Sequence, residues 1–243
     1  MLTFVCWRWR SPVGYRSVFA PEAVYQLRDM VRRYYPHPHR FVCVTDFPKE
    51  LTGVETIQLW DEGAEIPSPF GRHNPSCYRR LKVFAPDAGK VFGERLVSLD
   101  LDTVIVRDMS PLFDRPEDFV IWGESDFKGQ WYNGSLWMLR TGTRPQVWQT
   151  FDPERSPAIA TRAGARGSDQ GWISYVLGRG EATWGRADGV YSFRKHIVGQ
   201  LGGALPDDAR VVCFHGRWDP WGYDAQKLAW VREHYPVGRE VPA

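Results

Sequence analysis

The chain of 243 residues contains no apolar run long enough to cross a membrane as a helix, so no membrane span is expected. Cysteine is scarce. The four residues Cys6, Cys43, Cys77 and Cys213 show no paired spacing, and three of them sit in apolar, strand-like runs. That usage argues against a disulfide framework and for reduced thiols. Neither charge sign dominates: the formal net charge is +2 with both signs interspersed, a balance that does not call for nucleic acid as a partner. The opening Met1-Leu2-Thr3-Phe4-Val5-Cys6-Trp7 lacks the basic start and long apolar stretch of a signal peptide, and a cytoplasmic location is expected. Internal repeats and low-complexity segments are lacking as well, and nothing in the composition selects an oligomeric state.

Aromatic residues, by contrast, are plentiful, with 12 Trp, 10 Tyr and 13 Phe. Many lie among polar neighbours, as in Trp7-Arg8-Trp9-Arg10, Trp131-Tyr132-Asn133 and Trp218-Asp219-Pro220-Trp221. Such rings suit stacking on a sugar or nucleobase, and equally the packing of a core and its rim. The length fits one large α/β domain. Strands are predicted at 4–7, 41–45, 54–59, 95–101, 119–122, 134–139 and 210–214. Helices are predicted at 21–35, 78–84, 169–177 (with Ser168 as N-cap) and 224–235. Strands alternate with helices early and crowd together later, which points to an α/β sandwich on a mixed sheet.

The most informative stretch is Leu96-Val97-Ser98-Leu99-Asp100-Leu101-Asp102-Thr103-Val104-Ile105-Val106. On an extended chain, residues two apart share a face, so Asp100 and Asp102 are expected to project together from an apolar, buried strand. Two carboxylates so placed repel and lose hydration. A divalent cation resolves both costs, and oxygen ligands select Mg²⁺ or Mn²⁺. Asp-x-Asp-x-Thr/Val after an apolar strand, met here as Asp100-Leu101-Asp102-Thr103-Val104, also resembles the nucleophile segment of haloacid-dehalogenase-type phosphatases, in which Asp100 would attack phosphorus and Asp102 would serve as acid/base. That family carries this strand near its N-terminus and an acidic pair after a later strand. Here about a hundred residues come first, and Asp207-Asp208 precedes its strand.

Taken together, four segments resemble the GT-A glycosyltransferases, particularly the glycogenin-like retaining family and its small bacterial relatives. They are the acidic segment 95–106, Asn133-Gly134-Ser135-Leu136-Trp137-Met138-Leu139, Ser168-Asp169-Gln170, and Phe214-His215-Gly216-Arg217-Trp218-Asp219-Pro220-Trp221. The resemblance runs through nearly the whole chain in the family's order. It implies a GT-A fold, a single α/β/α sandwich with a mixed sheet, whose residues 1–102 form a nucleotide-binding half and 103–243 an acceptor-binding half. It further implies that His215 joins Asp100 and Asp102 as metal ligand, a set favouring Mn²⁺ over Ca²⁺. Asp169, Gln170, Asn133 and Asp126 would position the sugar and the reaction centre. Trp7, Tyr15, Thr45, Asp46, Leu101 and Gly216 would line the donor site, with Arg79 and Lys82, three apart on one helix face, offering positive charge. Trp131 and Tyr132 would stack on the acceptor. The implied reaction moves a hexose from a UDP-sugar to a glycan or other hydroxyl acceptor with retention; under inversion, Asp169 or Asp126 would be the base. One position departs from the pattern. The family's lysine before Pro-Trp is Asp219, which leaves Arg217 to meet the diphosphate and keeps a non-catalytic nucleotide-sugar-binding relative as an alternative.

Overall fold

The computed structural model describes residues 1–10, 14–15, 19–125 and 129–238. Its main sheet has seven strands in the order β3-β2-β1-β4-β7-β6-β8. These are β1 Leu2–Arg8, β2 His39–Thr45, β3 Glu55–Gln58, β4 Arg95–Leu99, β6 Phe119–Trp122, β7 Asn133–Arg140 and β8 Ala182–Trp184. Strands β1 to β4 run parallel, whereas β7 is antiparallel to both β4 and β6. A smaller sheet, β5-β10-β9, is built from β5 Thr103–Ile105, β9 Val190–Ser192 and β10 Val211–Cys213. The mixed α/β sandwich expected from the sequence is therefore present.

Period-two alternation explains the layering. Phe4, Cys6, Val97 and Leu99 turn to one face, where Val24, Leu27 and Val31 of the helix Pro21–Tyr34 and the small sheet complete a core. Val5, Trp7, Leu96 and Trp137 turn to the other, against Tyr78, Leu81 and Phe84 and against Trp172 and Ile173. Because both faces are covered, the central strands are mostly apolar on both faces, with buried Thr3, Ser98 and Ser135 among them, rather than alternating apolar and polar.

Three local expectations are corrected. The acidic pair does not sit on an extended strand: β4 ends at Leu99, and Asp100-Leu101-Asp102 turns into β5, with the Thr103 amide donating to the Asp100 carbonyl at 3.2 Å. Apolar patterning continues through the turn because Leu101 is itself buried. Ser168 precedes the helix Asp169–Leu177 but does not cap it; its Oγ accepts from the Cys77 amide at 2.9 Å. The predicted C-terminal helix is two short ones, Tyr223–Gln226 and Ala229–His234, parted at Leu228, whose backbone is extended (φ −79°, ψ 125°).

Candidate active site

The C-terminal ends of β1 and β4, the start of β7 and the end of β10 meet at one edge of the sandwich, the place where open α/β sheets present ligand crevices. Backbone pairing holds this junction together: the Asp100 amide donates to Ser135 O at 3.0 Å and the Phe214 amide to Asp102 O at 3.2 Å. A cavity of about 520 Å³ opens there, within the range of ligand sites. Its walls include Tyr15, Cys77, Arg80, Asp100, Asp102, Asn133, Asp169, Gln170, Arg194, His215 and Gly216. It continues into an aromatic recess lined by Trp7, Trp9, Tyr15, Phe19 and Leu101, with Asp100 and Asp102 at the joint. Residues from seven separate stretches of sequence thus share one lining.

Its electrostatic centre is Arg80. The guanidinium is 5 % exposed and bridges two carboxylates, reaching Asp100 Oδ1 at 2.5 Å and Asp169 Oδ2 at 2.6 and 2.7 Å. Burial works against its charge, but Asp169 and Asp100 outweigh burial and raise its pKa above the ordinary arginine value. Asp169 is 2 % exposed, and burial raises its pKa despite Arg80, with the Asp100 charge adding to the rise. Neighbouring Cys77 has its thiol pushed up to about 12 by burial, so it is un-ionised at neutral pH and a poor nucleophile. Gly134 is packed against this network. A Cβ there would come 2.9 Å from Arg80 Nη2 and 3.4 Å from Asp169 Oδ2.

The side-chain amides of Asn133 and Gln170 are fixed from behind. Gln170 Oε1 accepts from the Gly134 amide at 3.0 Å, and Asn133 Oδ1 accepts from the Ser135 amide at 2.9 Å. With both oxygens engaged, each side chain keeps an NH₂ group to offer a ligand. His215 follows β10, and its Nε2 lies 2.7 Å from Ser192 Oγ at the end of β9, with the Trp122 ring edge-on at 5.8 Å. Gly216 takes φ +74°, the left-handed region, and nothing lies within 4 Å of where its Cβ would be. Backbone and ligand can therefore approach each other there.

Several expected donor residues do not line the cavity. Arg79 and Lys82 do share a face, but it is turned to Trp60. Arg79 donates to the Trp60 carbonyl at 2.9 Å and pairs with Asp46 at 3.2 Å, while Lys82 lies 5.4 Å from the Trp60 ring and pairs with Glu62. Thr45 is buried, its hydroxyl accepting from the Phe47 amide at 3.0 Å. Trp7 reaches the recess with its indole N–H tied to Ser98 Oγ at 2.8 Å. Arg217 is exposed and its guanidinium lies 5.2 Å from the ring of its neighbour Trp218, off the lining. Tyr132 is a core residue whose hydroxyl donates to Gly178 O at 2.7 Å, and Arg179 covers the Trp131 ring at 3.8 Å. Asp126 lies outside the described residues.

The sequence reading passed over Arg80, although it stands between the two basic residues chosen. Leu81 beside it marks an inward-facing surface, but the Asp169 partner is 89 residues away. Of the later Asp207-Asp208 pair, Asp208 accepts from Tyr191 OH at 2.9 Å and is not on the lining. Among the described residues, no three His, Cys, Asp or Glu side chains are gathered closely enough to hold a metal ion. The predicted ligands Asp100, Asp102 and His215 nevertheless share the cavity lining. Two carboxylates and an imidazole fit a small divalent cation in kind.

No family model matches the chain, and no curated protein does. Solved structures do. The galactosyltransferase LgtC, crystallised in complex with donor and acceptor sugar analogs, superposes with a TM-score of 0.63 at 13 % identity, over 99 % of this chain and 97 % of that one. An active-site mutant of LgtC gives 0.62 at 12 % identity over the same shares, 99 % and 97 %. The glycosyltransferase GlyE of Streptococcus pneumoniae TIGR4 gives 0.55 at 10 % identity, over 92 % of this chain and 57 % of that one.

Proposed function

We propose that this chain of GT-A fold is a glycosyltransferase that moves a hexose from a UDP-sugar to a hydroxyl acceptor, with retention. The observation that carries the reading is the single cavity just described. It joins an aromatic recess to an acidic turn, an imidazole beside an open glycine, and two amides fixed from behind. The full-length superposition on LgtC supports it, as does the sequence resemblance to the glycogenin-like retaining family. In this reading Trp7, Trp9 and Tyr15 receive the nucleoside, and Asn133 and Gln170 donate to the sugar hydroxyls. Asp100, Asp102 and His215 would hold Mn²⁺ or Mg²⁺, which supplies Lewis-acid stabilisation of the leaving diphosphate when bound.

Arg80 keeps the two carboxylates it bridges apart in role. Asp169 is buried and takes two N–H bonds from the guanidinium, an arrangement that suits orientation of the sugar better than proton abstraction. Retention fits that environment, because a donor phosphate oxygen then accepts the acceptor's proton and no enzymic base is needed. A thermal-shift screen of nucleotides and nucleotide-sugars with Mn²⁺ tests the assignment, since a ligand that binds only the folded state raises the midpoint. UDP and UDP-sugars are expected to raise it in the presence of Mn²⁺. No response to any nucleoside diphosphate, with phosphate release from a phosphomonoester in Mg²⁺, would favour the aspartyl-nucleophile alternative instead.

A further inference from the structure

A second hollow lies apart from the active-site cavity and shares no lining residue with it or with its aromatic recess. Its volume is about 420 Å³, with Ile66, Tyr78, Trp148 and Phe151 as apolar walls and Glu62 and Gln149 beside them. Gln149, Phe151 and Pro153 carry it on into a more open hollow that adds Thr150, Asp152 and Glu154. The two elements that build the active site also build this groove. In the first, Cys77 and Arg80 line the active site, whereas Tyr78 between them lines the groove. In the helix Asp169–Leu177, Asp169 and Gln170 line the active site, whereas Trp172 and Tyr175 join the rings of the groove. A helix, about 10 Å across, thus stands between the two sites.

The rings are held in place by one another. Phe151 lies 5.2 Å from Tyr78 and 5.5 Å from Trp172, which stacks on Tyr175 at 5.5 Å. Tyr78 and Trp172 are buried, and the Trp172 indole donates to Val147 O at 2.8 Å. Trp148 and Phe151 are left half-buried and Tyr175 is exposed. Aromatic surface braced in this way loses little freedom when a ligand arrives. The following loop is fixed too, because Asp152 Oδ1 accepts from the amides of Glu154 and Arg155 at 2.9 and 3.0 Å.

Glu62, Asp152 and Glu154 bring three carboxylates to the groove, and among the described residues neither hollow is lined by Lys or Arg. Lys82 hydrogen-bonds Glu62 and keeps its carboxyl ionised by holding its pKa below the ordinary value. Aromatic faces pack on the C–H faces of sugar rings, while carboxylates and a carboxamide pair with hydroxyls. The same carboxylates repel a nucleotide or an acidic sugar.

Resting on the glycosyltransferase reading for its occupant, we propose that this groove is a second carbohydrate site that holds an uncharged segment of an oligosaccharide acceptor, away from the hydroxyl that reacts. The acceptor is then a chain of sugars, since a monosaccharide cannot reach from the groove past the intervening helix.

The test uses the full chain with Trp148→Ala and, as a second variant, Glu62→Gln combined with Gln149→Ala, two exposed positions. Calorimetry without metal or nucleotide measures the binding of maltohexaose, cellohexaose, N-acetylchitohexaose and the acidic hexagalacturonate. UDP with Mn²⁺ is titrated separately. A neutral hexasaccharide is expected to bind the wild-type chain more tightly than hexagalacturonate does. Both variants should weaken that binding about tenfold or more, with UDP affinity unchanged. Where Trp148→Ala fails to fold, the double variant decides. Binding of no neutral hexasaccharide, preference for the acidic one, or affinity that the double variant leaves unchanged overturns the inference. Self-association of the wild-type chain that Trp148→Ala abolishes also overturns it, by giving the groove to a second copy. UDP binding in any of these cases leaves the donor reading standing. Sugar binding in the groove of a chain that ignores UDP would instead remove the donor reading, and with it the acceptor role proposed for the groove.

Discussion

Replacing Arg80 with methionine keeps an unbranched side chain of similar reach and removes the guanidinium that bridges Asp100 and Asp169. Asp169, at 2 % exposure, then holds a buried carboxylate without its ion-pair partner. Breaking a buried pair from one side costs about 3–5 kcal/mol, which for a chain of this size lowers the thermal midpoint by roughly 6–20 °C. The cost depends on pH in a direction the structure fixes. Burial already raises the Asp169 pKa, and loss of Arg80 raises it further. A carboxyl whose folded pKa lies above its unfolded value is penalised only once it ionises. The penalty is therefore small in acid and grows as pH rises through the folded value. Denaturant unfolding of Arg80→Met should accordingly show a larger loss at pH 8 than at pH 5. Adding Asp169→Asn should recover much of the loss at pH 8, because the amide carries no charge to strand. A loss below about 1 kcal/mol at pH 8, or one equal at both pH values, would refute the claim that Arg80 serves as counter-ion to a buried Asp169.

Other outcomes follow from the same geometry. Gly134→Ala pushes a methyl group toward Arg80 Nη2, 2.9 Å away, and should cost about 1–3 kcal/mol as overpacking, read by the same unfolding assay. Ser192→Ala removes the hydroxyl 2.7 Å from His215 Nε2, which also caps the helix Phe193–Val198 by accepting from the Lys195 amide at 3.0 Å; stability should fall by about 0.5–2 kcal/mol, and Mn²⁺ affinity of the folded protein measured by calorimetry should fall about 10- to 100-fold. Burial lowers the pKa of His234 below its ordinary 6.5, with its Nδ1 2.7 Å from Tyr34 OH. A histidine depressed in the folded state stabilises above its unfolded pKa and loses that contribution as pH falls through the folded value. The thermal midpoint should thus decline as pH is lowered from 6.5, and His234→Gln should flatten that decline.

Much of the fold was legible because the central strands and the helix Pro21–Tyr34 follow simple apolar periodicities, and their ends moved by only a residue or two. Leu228 shows where periodicity misled. Its apolar character continued the helical pattern, but its side chain packs against Gly203, where a Cβ would come within 2.8 Å of Leu228 Cδ2, and the helix breaks there. The acidic turn misled similarly: Leu101 is buried in a turn as deeply as it would be in a strand. At the site, Asp100, Asp102, Asn133, Asp169, Gln170, His215 and Gly216 are brought onto one lining. The cations were illegible because each is selected by a distant partner. Arg79 faces Asp46 and Trp60, and Arg80 faces Asp169. Local helical spacing carries no trace of such contacts.

The central claim is that Asp102 and the cavity around it bind a nucleotide-sugar donor with a divalent cation. Its most direct test is Mn²⁺-dependent release of UDP from UDP-glucose or UDP-galactose by the wild-type chain and by Asp102→Asn. Release is expected to require Mn²⁺ and to fall by orders of magnitude in the variant while the variant's thermal midpoint holds. Release that is unaffected by Asp102→Asn, or tight UDP-sugar binding with no turnover in the presence of varied hydroxyl acceptors, would contradict it.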